Sequence, residues 1–207
     1  MRWIPRLILP FFLLVAGPAH ASVVFDVSEG VQPANVGKIT LTQSGANSVI
    51  VGVDLLDGYG FLNTGGPHTP FAFNLTPSAG VLSISSFTTP LNGVYASGTF
   101  SLNTGGGENT PFGIFNVALD SSAGNGSGNA YFGDLLFTLS RTTGLTIADF
   151  VPNSDGYYFS ADLTDGSDTG AQAWKEVSQV PIPAALPLFL TALAALGLIA
   201  RRKQATA

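Results

Sequence analysis

The chain has 207 residues, of which 45% are hydrophobic and 10% charged, with 25 glycines, no cysteine and a net charge of −5. The absence of cysteine excludes disulfides, thiolate metal sites and cysteine nucleophiles. Only eight residues are basic, and Arg2, Arg6, Arg201, Arg202 and Lys203 sit at the two ends, so no basic stripe for nucleic acid can be assembled.

At the N-terminus, Arg2 and Arg6 precede an apolar run from Leu7 to Ala16, which Ala19-His20-Ala21 follows. This order predicts a secretory signal peptide over residues 1–21, with Ala19 and Ala21 as the small residues of an A-x-A site. Cleavage by signal peptidase would leave Ser22 as the first residue of the mature chain. Between Ser22 and Gln179 only Lys38, Arg141 and Lys175 are basic, against all thirteen acidic residues, a balance of minus ten. A body this acidic suits solubility outside the cell or attraction of divalent cations.

Some 158 residues between the processed ends make one domain with one core, expected over residues 22–170. Strands are predicted in chain order at "GKITLTQ", "SVIVGVDLL", "VLSISSF", "VYASGTFSL", "FGIFNVAL", "GDLLFTLS" and "GYYFSADL". In "SVIVGVDLL" the period is two, placing Val49, Val51, Val53 and Leu55 on one face. Turn-rich words such as "LDGYG", "NTGG" and "SSAGNGSGN" separate these runs. Many short strands with such punctuation predict an all-β fold, an antiparallel β-sandwich of jelly-roll or Ig-like kind. One segment, "LTIADF", reads as one or two helical turns capped at Thr146, or as a short strand.

An internal echo accompanies the strands: "FLNTGGPHTPFAFNL" around Leu62 returns as "SLNTGGGENTPFGIFNV" around Leu102. Two equivalent strand-loop-strand corners would account for it, and so would turn chemistry alone in a chain this rich in Gly, Asn and Thr.

Candidate chemistry is sparse. Once the leader is removed, His68 is the single imidazole, set in "GGPHTP" without a G-x-S-x-G elbow, so it reads as an exposed loop histidine. Asp162, Asp165 and Asp168 in "ADLTDGSDTGAQ" offer oxygen ligands around Gly166 that suit calcium, and no other cofactor is expected. The other reading of the same residues is turn aspartates that cap their own backbones. A ring cluster of Phe150, Tyr157, Tyr158 and Phe159, with Trp174 beyond, could stack on a sugar if exposed or fill a core if not.

The C-terminus is organised differently. Residues 171–183 read as a linker that carries Val180-Pro181-Ile182-Pro183-Ala184, and residues 184–200 hold no charge. As a helix that run is roughly 26 Å long, near the lower limit for a bilayer. Arg201, Arg202 and Lys203 follow in the tail 201–207 and, by the positive-inside rule, stop transfer with the tail in the cytoplasm.

Residues Val180 to Ala184, the apolar run and the basic cluster together resemble the PEP-CTERM sorting signals handled by exosortases in Gram-negative bacteria, in their VPLPA form. Ile182 stands where the commoner form has Glu. The resemblance covers about 28 of 207 residues. It implies export, temporary tethering in the inner membrane, cleavage near the prolines by an exosortase-type transpeptidase, display at the cell surface or release, and a link to exopolysaccharide and biofilm. The body is also similar to Gly/Ser/Thr-rich β domains found ahead of such signals, which carry no assigned activity. Three classes of function follow: a non-catalytic surface or matrix protein, a carbohydrate-binding module that calcium could assist, and an enzyme acting on matrix polysaccharide.

Overall fold

A computed structural model describes residues 21–32, 35–89, 93–94, 100–122 and 124–175. The segment expected as a signal peptide, up to His20, the expected sorting motif at Val180 to Ala184, the apolar run and Arg201 to Lys203 lie outside the described residues. Among the described residues no helix is long and apolar enough to cross a membrane.

Sixteen strands are described. In chain order they are β1 (Ser22–Phe25), β2 (Val27–Gly30), β3 (Gly37–Gln43), β4 (Ser48–Leu55), β5 (Gly60–Phe61), β6 (Phe71–Phe73), β7 (Leu82–Thr89) and β8 (Gly93–Val94). There follow β9 (Phe100–Asn103), β10 (Gly107–Glu108), β11 (Ile114–Phe115), β12 (Val117–Ser121), β13 (Tyr131–Phe132), β14 (Leu135–Arg141), β15 (Phe159–Thr164) and β16 (Thr169–Lys175). All pairings are antiparallel. One large sheet runs β1-β3-β4-β14-β7-β8, the other is built around β15, with β16 and β2 on one side and β5, β13, β6, β12 and β9 on the other, and β10 and β11 form a two-stranded ribbon.

The period-two runs behave as expected in the first sheet. Val49, Val51, Val53 and Leu55 of β4 are buried, as are Leu135, Phe137 and Leu139 of β14, while the residues between them are partly wet. Across the core the second sheet contributes mainly rings: Phe61, Phe71, Phe73, Phe100, Phe159 and Trp174. Phe159 lies at the centre, with ring centroids 4.9 Å from Phe25, 5.9 Å from Phe150 and 6.0 Å from Phe71.

One expectation changes, and one open choice is decided. The chain expected as a linker from residue 171 is still strand, since β16 runs to Lys175 with Ala171, Gln172, Ala173 and Trp174 all buried. Its alanines have low strand propensity, so the run carries little sequence signal, and burial on both faces decides the matter. "LTIADF" forms a 3-10 turn over Ile147–Asp149, where the Asp149 carboxylate accepts the Thr146 N–H at 2.7 Å and its hydroxyl at 2.8 Å.

Candidate functional site

Every residue of β15 is buried, although alternation should leave one face wet. Phe159, Ala161 and Leu163 enter the core, so Ser160, Asp162 and Thr164 must be covered from outside. The echoed corners supply that cover.

The first corner interrupts a strand. Leu163 pairs with Phe61, so an unbroken ladder would set Ser160 against residue 64, yet Ser160 faces Ala72. Eight extra residues therefore leave the β15 edge and return to it. The Leu62 N–H donates to the Asp162 carbonyl at 2.8 Å, and the Asp162 N–H to the Thr69 carbonyl at 3.1 Å. Between these rungs the loop folds over the Asp162 side chain. The second corner extends the β9–β12 hairpin through β10 and β11 to a tip at residues 109–113, with a cis Thr110–Pro111 bond.

The echo is partly structural. Asn63 and Asn103 each accept, through Oδ1, the amide two residues on, at 3.0 Å from Gly65 and 2.8 Å from Gly105. Gly66 and Gly106 both take positive φ, 63° and 86°. Beyond that point the copies diverge: Phe71 enters the core, whereas Phe112 packs outside on Ala171 and Ala173. Aligning "HTPF" with "NTPF" makes His68 and Asn109 equivalent, and the two form an antiparallel bridge with each other. The small floor of Ala72, Ala118, Ala171 and Ala173 permits the close approach, and a Cβ on Gly107 would stand 2.5 Å from Thr69 Oγ1.

Beneath the corners lies a buried polar cluster. Asn109 is fully buried, accepting the Thr69 N–H at 2.7 Å and donating to Ser160 Oγ at 2.8 Å. Asp162, also fully buried, accepts the Thr64 N–H at 3.0 Å and the Thr64 hydroxyl at 2.8 Å through Oδ2. Its Oδ1 and the His68 Nδ1 are both buried without a hydrogen-bond partner. Burial pushes the Asp162 carboxyl above its ordinary value, against the lowering pull of Thr64 and of the nearby His68 charge. Because Asp162 is closed to solvent, this cluster serves to clasp the loops to the sheet.

His68 is therefore half-buried in a joint, where an exposed loop residue was expected. The structure does not gather the expected calcium ligands. Asp162 faces inward to Thr64, while Asp165 is exposed and its Oδ1 caps the amides of Ser167 and Asp168, each at 2.8 Å. Asp168 is exposed in the same turn, where its carbonyl accepts the Thr164 hydroxyl. Among the described residues no three His, Asp or Glu side chains are grouped to hold a metal. Of the two readings of the ring cluster, core packing holds for most members, since Phe150, Phe159 and Trp174 are buried and Tyr158 packs on Phe25.

A shallow hollow of about 300 Å³ lies on the first sheet, bordered by Lys38, Thr40, Asp54, Asp134 and Leu136. Burial and the charges of Asp54 and Asp57 raise the Asp134 carboxyl, despite the Leu55 N–H that Oδ1 accepts at 3.0 Å. Asp54 pairs with Lys38 at 2.9 Å in solvent. Asn109, Ser160 and Thr64 carried no sequence signal as a group, except that the echo's alignment places Asn109 opposite His68.

No protein-family model matches the chain, and neither a curated protein nor a solved structure shows detectable similarity to it.

Proposed function

We propose that this is an exported, non-catalytic surface or matrix protein of a Gram-negative bacterium, delivered by its two ends. In this reading the two sheets form a β-sandwich of jelly-roll or Ig-like kind, preceded by a signal-peptide helix and followed by a transmembrane helix at residues 184–200. Signal peptidase acts at Ala21–Ser22. An exosortase-type transpeptidase then acts near Val180 to Ala184 while Arg201 to Lys203 hold the tail in the cytoplasm. The released domain resides at the surface among polysaccharide.

The observation that carries the proposal is one of placement. The first strand begins at Ser22 and the last described strand ends at Lys175, five residues before Val180. The described strands thus all fall between the two sites proposed for processing. The test is the intact mass and location of the protein in its host, with and without residues 180–207. A product beginning at Ser22 and trimmed near Pro183 at the surface is expected. A product that keeps its basic tail in the inner membrane would overturn the sorting step.

A second reading, an enzyme acting on matrix sugar, draws on the hollow that Asp54 and Asp134 border, where burial raises the Asp134 carboxyl and a second carboxyl lines the same hollow. Its test is hydrolysis of the host polysaccharide by the parent and by Asp134→Asn. Activity that the substitution abolishes is the outcome this reading requires.

A further inference from the structure

The Ala21–Ser22 bond is built into the sheet. The Ala21 carbonyl accepts the Gln43 N–H at 2.9 Å, one rung beyond β1, whose register sets Ser22 against Thr42 and Phe25 against Ile39. We infer that removal of the leader and docking of β1 onto β3 exclude each other, so the precursor must be cut before this strand pairs. The inference rests on the export reading.

Hydrolysis adds water across this peptide bond. The hydroxyl goes to the Ala21 carbonyl carbon, the C–N bond breaks, and a proton goes to the Ser22 nitrogen, giving a carboxylate and an ammonium. A peptidase needs an extended substrate whose scissile carbonyl points into its oxyanion donors. In an antiparallel pair, successive residues direct their N–H and C=O groups alternately toward and away from the partner. Ala21 directs its carbonyl toward β3, so a peptidase that approaches the open edge of β1 meets the groups of Ser22 instead. Turning the bond outward requires unpairing the residues that follow it. That motion is resisted by Val23 and Phe25, both buried, with Phe25 packed 5.2 Å from the Tyr158 ring and 4.9 Å from Phe159.

The mature fold tolerates losing this rung. Gln43 Nε2 donates to the Gly45 carbonyl at 2.6 Å and the Leu145 carbonyl at 2.9 Å, and its Oε1 accepts the Ile147 N–H at 3.1 Å. Those bonds anchor the end of β3 whether or not Ala21 remains. A precursor in which β1 docks first is therefore trapped with its leader attached.

The test is an order-of-addition experiment on the full-length precursor, diluted from urea into detergent with signal peptidase added after increasing delays. Cleavage is expected to fall about tenfold or more as near-UV circular dichroism reports folding, because cutting then waits on strand opening. Equal cleavage at all delays would overturn the inference and leave the export reading intact. No cleavage at any delay would overturn the leader assignment and this inference with it. Hydrogen exchange gives an independent check: the Gln43 amide should be protected in the folded precursor and exchange faster in the chain that begins at Ser22. Equal protection in both would also overturn the inference.

Discussion

The two sheets share one core but differ on their outer faces. On the first, β4 and β14 alternate between buried and partly wet positions; on the second, β15 is buried throughout. The first face is finished by its own side chains, Thr40, Thr42 and Thr138 among them. The second is finished by two loops from distant parts of the chain, joined to it through Asn109, Thr64 and Asp162. Alternation thus specifies which residues make a core, whereas the cover depends on hydrogen bonds that alternation does not encode.

The largest effect should ignore this difference. Phe159 meets rings from both sides of the core, so Phe159→Ala is expected to cost about 3–5 kcal/mol in urea unfolding. The next should expose it. Asn109→Ala leaves the Thr69 N–H and Ser160 hydroxyl unpaired in a buried site and should cost about 1–3 kcal/mol, with faster hydrogen exchange confined to the two corners. Thr138→Ala on the wet face should stay within about 0.5 kcal/mol of the parent. Equal losses for Asn109→Ala and Thr138→Ala would refute the contrast between the faces.

Much of this was legible. "SVIVGVDLL" and "GDLLFTLS" became β4 and β14 because a half-buried strand writes itself as alternation. "TGAQAWK" did not, since a strand buried on both faces beneath loops needs small residues where alternation would put polar ones. The echo indicated two corners but not their use, because identical words end in opposite places: Pro70 leads Phe71 into the core, and Pro111 leads Phe112 onto the alanine floor. His68 and Asp162 were each visible as chemistry. Their juxtaposition was not, because it depends on the eight-residue excursion that brings residues 62–69 back onto β15.

One half-buried carboxyl and one buried one extend the comparison to pH. Burial alone would raise the Asp149 carboxyl, but the Thr146 N–H and the Arg141 guanidinium, 2.7 Å away, outweigh it and hold it below the ordinary 3.8. Its contribution to stability is present above 3.8 and is lost as pH falls through the lowered value. Asp162 is raised, so its contribution is present below 3.8 and is lost as pH rises through the raised value. Asp149→Asn should therefore be most harmful near neutrality and converge on the parent in acid. Asp162→Asn should gain on the parent as pH rises. Unfolding curves for both variants across the acid range check the signs, and parallel curves would show that the carboxyls do not titrate differently.

The smallest effect belongs to the wet face. Lys38 and Asp54 form their ion pair at 2.9 Å with more than half of each side chain exposed, where water and salt screen the attraction. Lys38→Ala should leave the melting temperature unchanged within error. It should still be felt by Asp134, whose raised carboxyl the Lys38 charge pulls down from across the hollow. Removing that charge should move the Asp134 titration further up, read by carboxyl NMR. A titration shift without a stability change would mark the first face as a place where charge tunes a side chain without holding the fold, the reverse of the clasp on the second. A stability loss as large as that of Asn109→Ala would mean that both faces are held by their polar contacts.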